Sequence, residues 1–269
     1  MADSKKFTRP KRPRLSLNVM IPNMLTLLAL CSGLTAIRFA YEGRWEHAAL
    51  AILAASILDA LDGRIARLLK GTSKFGAELD SLADILSFGV APGLMLYFWS
   101  LQNVGRFGWI LVLIYAMACA LRLARFNTAA EDPNPPAWAG NFFAGVPAPM
   151  AAGLVLLPMV ISFNFFGDYV RRPEVVAVFV LVVSFLMVSS IPTYSFKKVK
   201  LRPSLILPLM VVVGLIIASL LSAPWITLSG ILAAYIASIP WSVKSYRSIS
   251  QGDANLFDIG VEIDDEDNT

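Results

Sequence analysis

Residues Asp59 to Asp84 read DALDGRIARLLKGTSKFGAELDSLAD, which sets Asp59, Asp62, Asp80 and Asp84 into two apolar runs on either side of a basic turn. A helix turns 100° per residue, so Asp62, Gly63 and Ala66 fall within about 60° of Asp59, while Asp80 and Asp84 stand one turn apart. The two runs are therefore expected to form a helical hairpin with a short carboxylate ladder on each arm. Gly63 and Ala66 leave the backbone bare beside the first ladder. That suits the approach of a bulky phosphate ester and equally suits close helix packing.

An aspartate at the centre of a membrane helix costs roughly 2.5–3.5 kcal/mol on insertion scales, so four left unpaired would cost on the order of 10 kcal/mol or more. Arg64, Arg67, Lys70 and Lys74 lie mainly on the turn rather than opposite every aspartate. A divalent cation is the better counter-charge, and an all-oxygen ligand set selects Mg²⁺ or Mn²⁺. Two such ions about 3.5–4 Å apart are a common device of phosphoryl transfer. His47 is the only histidine, and it stands beyond the first apolar run, where an ordinary surface residue is expected.

Outward from this hairpin the chain is 57% hydrophobic and 16% charged over 269 residues, an apolar excess above that of a soluble domain. Spans are expected near 19–40, 45–69, 77–101, 106–126, 145–165, 174–193, 203–221 and 223–242. The fold class is all-α, a polytopic transmembrane bundle, because lipid offers no partner to unpaired backbone groups. Three segments follow: a basic head at 1–18, a transmembrane domain at 19–242, and a polar tail at 243–269 that is acidic from Gln251 onward. The first apolar run is too long for a secretory signal and lacks a small-residue cleavage pattern. Cys31 and Cys119 fall inside apolar runs, so no disulfide framework is implied.

Numbering the spans in order puts the head, Arg64 to Lys74, Arg122 with Arg125, Lys197 to Arg202, and Lys244 with Arg247 on one side, which collects 18 of the 23 Lys and Arg residues. That side is cytoplasmic by the positive-inside rule, so both termini and the aspartates' end of the hairpin are cytoplasmic. Trp45, Trp99, Trp109, Trp225 and Trp241 are expected near span ends, at the headgroup level. The net charge of +4 lies at span ends and lacks aromatic interleaving, which excludes a nucleic-acid surface. Glu131 to Pro136 reads as a polar, proline-rich loop.

The pattern D-x2-D-G-x2-A-R-x8-G-x3-D-x3-D is met at every fixed position from Asp59 to Asp84, and it resembles that of the CDP-alcohol phosphatidyltransferase family. Ile21-Pro22-Asn23-Met-Leu-Thr26, Ser87 to Gly93, Arg122-Leu-Ala-Arg125-Phe126-Asn127 and Ile191-Pro192-Thr193 are similar to the branch of that family whose acceptor is L-serine. The resemblance covers roughly Pro22 to Lys200. It implies two divalent cations bridged by Asp59 and Asp80, with Asp62 completing one site and Asp84 the other. It also implies Asp84 as general base, and Asn23, Thr26, Gly63, Arg67 and Ser73 lining the CDP-lipid site. A homodimer in the inner or plasma membrane of a bacterium is part of the same expectation.

The implied reaction is CDP-diacylglycerol plus L-serine giving phosphatidylserine and CMP. Metal across the pyrophosphate would stabilise the leaving CMP, Asp84 would take the hydroxyl proton, and Arg67 would share the charge developing on phosphate oxygens. Glycerol 3-phosphate or an inositol compound is the alternative acceptor. Arg122 and Arg125 suit its phosphate, the carboxylate of serine, or a plain cytoplasmic span end. A cation transporter with an intramembrane aspartate path is a third reading, but such a path gives no reason for Gly63, Ala66 and Arg67 beside the carboxylates.

Overall fold

The computed structural model describes residues 17–130, 142–165, 167–189, 192–194 and 206–239. The basic head up to residue 16, the loop at 131–136, the cluster at 197–202, Trp241 and the acidic tail lie outside the described residues. Leu17–Tyr41 (α1) and Trp45–Leu68 (α2) fold back on one another across a tight turn in which Gly43 takes φ +72°. Small residues make their seam. Ala36 and Ala40 on α1 and Ala48, Ala51 and Ala55 on α2 are all buried, and Ser32 donates to the Ala51 carbonyl at 2.8 Å. Backbones can approach this closely only where side chains are short.

The end of α2 is a Schellman turn. Gly71 N–H reaches back to Ala66 O at 2.9 Å and Lys70 N–H to Arg67 O at 3.3 Å, with Lys70 itself at φ +50°. Three residues later Ser73, in extended conformation, caps Lys74–Asp84 (α3) by accepting from Gly76 N–H at 3.0 Å. The helix does not stop at Asp84. It widens to a π-helical turn over Ile85–Val90 and continues as Ala91–Trp99 (α4), so Lys74–Trp99 is one apolar rod of 26 residues. Arg106–Ala130 (α5) packs beside it.

Asn18–Tyr41, Lys74–Trp99 and Arg106–Ala129 are each long and apolar enough to cross a membrane. Pro173–Val188 (α9) is shorter, and so are Leu207–Ser222, within Ile206–Ser222 (α10), and Pro224–Ile239 (α11). The span expected at 145–165 is instead two short helices, Ala148–Val155 (α6) and Leu157–Ser162 (α7), followed by the single turn Gly167–Val170 (α8). Pro158 explains the break, since it has no N–H to give the Leu154 carbonyl and its ring crowds that position. The core runs through α2, α4, α5, α6 and α9, with Phe88, Met95, Leu96, Tyr115, Leu154 and Met187 fully buried.

The all-α expectation holds, and the extended pairing among the described residues is limited to one short ladder. Phe142–Ala144 (β1) and Pro192–Tyr194 (β2) pair antiparallel, with Ala144 opposite Pro192 and Phe142 opposite Tyr194. The ladder closes at Pro192, which cannot donate and is tolerated as a first strand residue. Trp99 stands at the end of its span, as expected, but packs against protein. It is buried, its carbonyl accepts from Arg171 Nε at 3.1 Å, and the guanidinium lies 5.9 Å from its ring.

Candidate active site

α1, α2 and α3 converge where the Schellman turn delivers the chain into α3, about 9 Å along the helix from Asp62 to the last residue of α2. Asp62 is 4% exposed, and its Oδ2 accepts from Thr26 Oγ1 of α1 at 2.7 Å. Asp59, one turn earlier, and Asp80, across the hairpin, each bring a carboxylate oxygen within 4.8 Å of Asp62 and of one another. The two ladders anticipated from helical periodicity do face each other.

Asp84 stands apart from this triangle. It lies one turn beyond Asp80, within hydrogen-bonding reach of the Asp59 carboxyl, and in the electrostatic range of Arg122 on α5. Arg122 is 8% exposed, and its Nε is buried without a hydrogen-bond partner among the described residues.

At 4.8 Å two unit negative charges repel by about 3.5 kcal/mol at an effective dielectric constant of 20, for every pair in the triangle. Among the described residues the ion pairs join Glu42 to Arg38 and to Arg44, at the opposite end of the α1–α2 hairpin. Among the described residues no Lys or Arg forms an ion pair with the three carboxylates, and Arg122 acts on Asp59 and Asp84 only at longer range. Hard oxygen donors at this spacing, with no thiolate or imidazole among them, fit a divalent metal ion. His47 is exposed against the Phe39 ring, about 18 Å along α2 from Asp59, and takes no part.

A cleft of about 270 Å³ opens beside the triangle. Asn23 and Thr26 line it from α1, Gly63 and Arg67 from α2, Ser73 from the turn, and Asp80 from α3, so every residue expected at the CDP-lipid site borders one cavity. Its two glycines on helices do different work. A Cβ placed on Gly63 would meet only Arg67 Nη1, at 3.7 Å, so the glycine faces open cleft and not a packed neighbour. A Cβ on Gly76 would stand 2.9 Å from Asn23 Oδ1 and 3.1 Å from Ser73 Oγ, so this glycine lets α3 close against α1.

Arg125 is placed elsewhere. Its Nη1 donates to Val188 O at 2.8 Å and its Nη2 to Ser189 O at 3.0 Å, where α9 ends. A guanidinium there satisfies carbonyls that have no intrahelical donor and sits at the negative end of the helix dipole. Nothing in the sequence distinguishes Arg122 from Arg125. Gly71, Thr72 and Ala77 also border the cleft although they were not singled out. The spacing of the fixed positions flanks all three, and it was the only available signal. Asn127, the last residue of the Arg122–Asn127 stretch, donates to Ser81 Oγ at 2.8 Å, tying α5 to the helix that carries Asp80 and Asp84.

Residues 19–189 match the family model described as CDP-alcohol phosphatidyltransferase, and residues 204–240 match a second, CDP-alcohol phosphatidyltransferase 2. The chain is 39% identical over 241 residues to a CDP-diacylglycerol--serine O-phosphatidyltransferase of Mycobacterium tuberculosis, an alignment covering 89% of this chain and 84% of that protein. It is 36% identical over 204 residues to the protein of the same name from Helicobacter pylori, covering 76% of this chain and 84% of the relative. An archaetidylserine synthase of Methanothermobacter thermautotrophicus is 34% identical over 177 residues, 64% of this chain and 69% of that one. With its aspartate pattern folded into one carboxylate cluster beside a cleft, and with this match across residues 19–189, the chain belongs to the CDP-alcohol phosphatidyltransferase family.

Proposed function

We propose that the protein transfers the phosphatidyl group of CDP-diacylglycerol directly to the hydroxyl of L-serine, giving phosphatidylserine and CMP. The observation that carries this reading is the convergence of Asp59, Asp62 and Asp80 within 4.8 Å beside a cleft bordered by Arg67 and the bare face of Gly63. The names of the relatives supply serine as the acceptor. Asp59 and Asp80 would each touch both of two divalent ions, Mg²⁺ or Mn²⁺, with Asp62 completing one site and Asp84 the other. Such ions, when bound, neutralise the pyrophosphate and ease the departure of CMP.

The remaining work falls to side chains. Thr26 fixes the rotamer of Asp62 through its 2.7 Å hydrogen bond. Arg67 and the polar groups of Asn23 and Ser73 hold the nucleotide end of the lipid, and Gly63 lets it approach the α2 backbone. Asp84 takes the proton from the serine hydroxyl as its oxygen attacks phosphorus. Arg122, whose Nε has no hydrogen-bond partner among the described residues, receives the serine carboxylate, while Arg125 holds the end of α9 beside it.

The topology goes with this chemistry. The three long apolar helices, α2, the α6–α7 pair and the three shorter apolar helices would make eight spans. Both termini and the cleft would face the cytoplasm, where serine and nucleotide are dissolved and acyl chains can stay in lipid. A homodimer in a bacterial plasma membrane completes the proposal.

Asp84→Asn tests the assigned base. The variant keeps nearly the same volume and one coordinating oxygen, so CDP-lipid binding is expected to survive while phosphatidylserine formation falls by about 10²–10⁴. Turnover within a few-fold of wild type would remove Asp84 from the proton transfer.

A further inference from the structure

The rod that carries Asp80 and Asp84 changes its winding immediately after Asp84. Pro92 is the origin of the change. In an α-helix the Phe88 carbonyl would accept from residue 92, and proline has no N–H to give. Over Ile85–Val90 the ladder is widened, with Ala91 N–H bonding to Leu86 O, five residues back. The Phe88 carbonyl, buried with its residue, takes its hydrogen bond from another helix. Tyr115 of α5, itself 0% exposed, donates its hydroxyl to Phe88 O at 2.9 Å.

The widened turn is clamped on two sides. A Cβ on Gly33 of α1 would stand 2.7 Å from Ser87 Cα, and one on Gly89 would stand 3.0 Å from Cys119 Cβ of α5. Ser87 Oγ donates to the Ala29 carbonyl at 3.4 Å. Adding one residue to a helical turn rotates everything beyond it by about 100° relative to an uninterrupted α-helix. The turn therefore sets the direction of Asp80 and Asp84, at one end of the rod, against that of Met95, Leu96 and Trp99, which are locked in the core at the other.

We propose that Tyr115 is a positioning residue of the transferase: its hydroxyl supplies the donor that Pro92 withholds from the Phe88 carbonyl, and so holds the wide turn that aims Asp80 and Asp84 at Asp59 and Asp62. The inference rests on the reading that these carboxylates hold divalent metal. Tyr115 touches neither metal nor substrate and acts only through the helix.

The test compares wild type, Tyr115→Phe and the double variant Pro92→Ala/Tyr115→Phe as full-length protein in lipid nanodiscs. Mn²⁺ binding is followed by electron paramagnetic resonance, alongside thermal unfolding, kcat and KM. Tyr115→Phe is expected to weaken Mn²⁺ binding and lower kcat, each by about 10-fold, as loss of an outer-shell support does. KM for CDP-diacylglycerol should stay within about twofold, because the cleft residues are untouched. In the double variant residue 92 regains an N–H and can satisfy Phe88 in ordinary α geometry. Its unfolding temperature should return toward wild type while Mn²⁺ binding and kcat stay low. If Tyr115→Phe alone does not fold, the double variant carries the same measurement. Wild-type Mn²⁺ binding and kcat in Tyr115→Phe would overturn the proposal, and so would their recovery together with stability in the double variant, since Tyr115 would then only satisfy a buried carbonyl. A wild type that keeps full turnover in excess chelator would remove the metal reading itself, and this proposal with it.

Discussion

Gly63→Ala separates a glycine kept for substrate from one kept for packing. The added methyl would meet only the end of the Arg67 side chain, at 3.7 Å, so the fold has room for it. Alanine in a helix interior is better than glycine by roughly 0.5–1 kcal/mol, a gain of about 1–4 °C in unfolding temperature for a chain of this size. The same methyl projects into the cleft where the pyrophosphate is proposed to lie. A displacement of about 1 Å at the reacting centre can cost about 10²-fold in rate, so kcat/KM for CDP-diacylglycerol should fall by about 10- to 100-fold. Gly33→Ala is the control of opposite sign. Its Cβ would stand 2.7 Å from the Ser87 Cα, the helices would have to part, and stability should fall by about 1–3 kcal/mol. The assay is phosphatidylserine formation by purified protein, paired with thermal unfolding. A Gly63→Ala variant with unchanged kcat/KM would refute the placement of substrate against α2, and one that unfolds earlier would show that the site is packed.

Chelation of divalent cations should abolish turnover, with Mg²⁺ or Mn²⁺ restoring it, and Asp59→Asn or Asp80→Asn should lose both Mn²⁺ binding and activity; near-normal rates in either variant would make the cluster structural. Arg125→Ala should lower stability by about 1–3 kcal/mol through the uncapped α9 carbonyls, whereas Arg122→Gln should raise KM for serine with little change in KM for the lipid, as kinetics at varied serine and varied lipid will show. Cysteines introduced at Lys74 and at Arg171, in a background without Cys31 and Cys119, should react with an impermeant reagent from the cytoplasmic and the outer side respectively; the reverse pattern would invert the topology.

The carboxylate centre was legible because its information is local. Asp59 with Asp62, and Asp80 with Asp84, repeat at helical spacing on two arms of one hairpin, and a short turn forces the arms together. Gly63 was ambiguous in the sequence because open cleft and close packing both demand a missing side chain, and only the surroundings of its Cα distinguish them. The widened turn after Asp84 had a local cause in Pro92, but its stabilising partner, Tyr115, lies 27 residues away on another helix. The different tasks of Arg122 and Arg125 depend likewise on where α9 ends, which periodicity in α5 does not report. The break at Pro158 was written in the chain, yet an apolar run long enough to span a bilayer masked it.

Release of CMP from CDP-diacylglycerol by the purified protein, with L-serine, glycerol 3-phosphate, inositol or no acceptor, tests the central claim most directly. Metal-dependent CMP release matched one for one by phosphatidylserine, and absent without acceptor, is the predicted result. Stoichiometric CMP release without acceptor, together with a phosphatidylated protein, would contradict direct displacement. A product formed preferentially from another acceptor would contradict serine as the substrate.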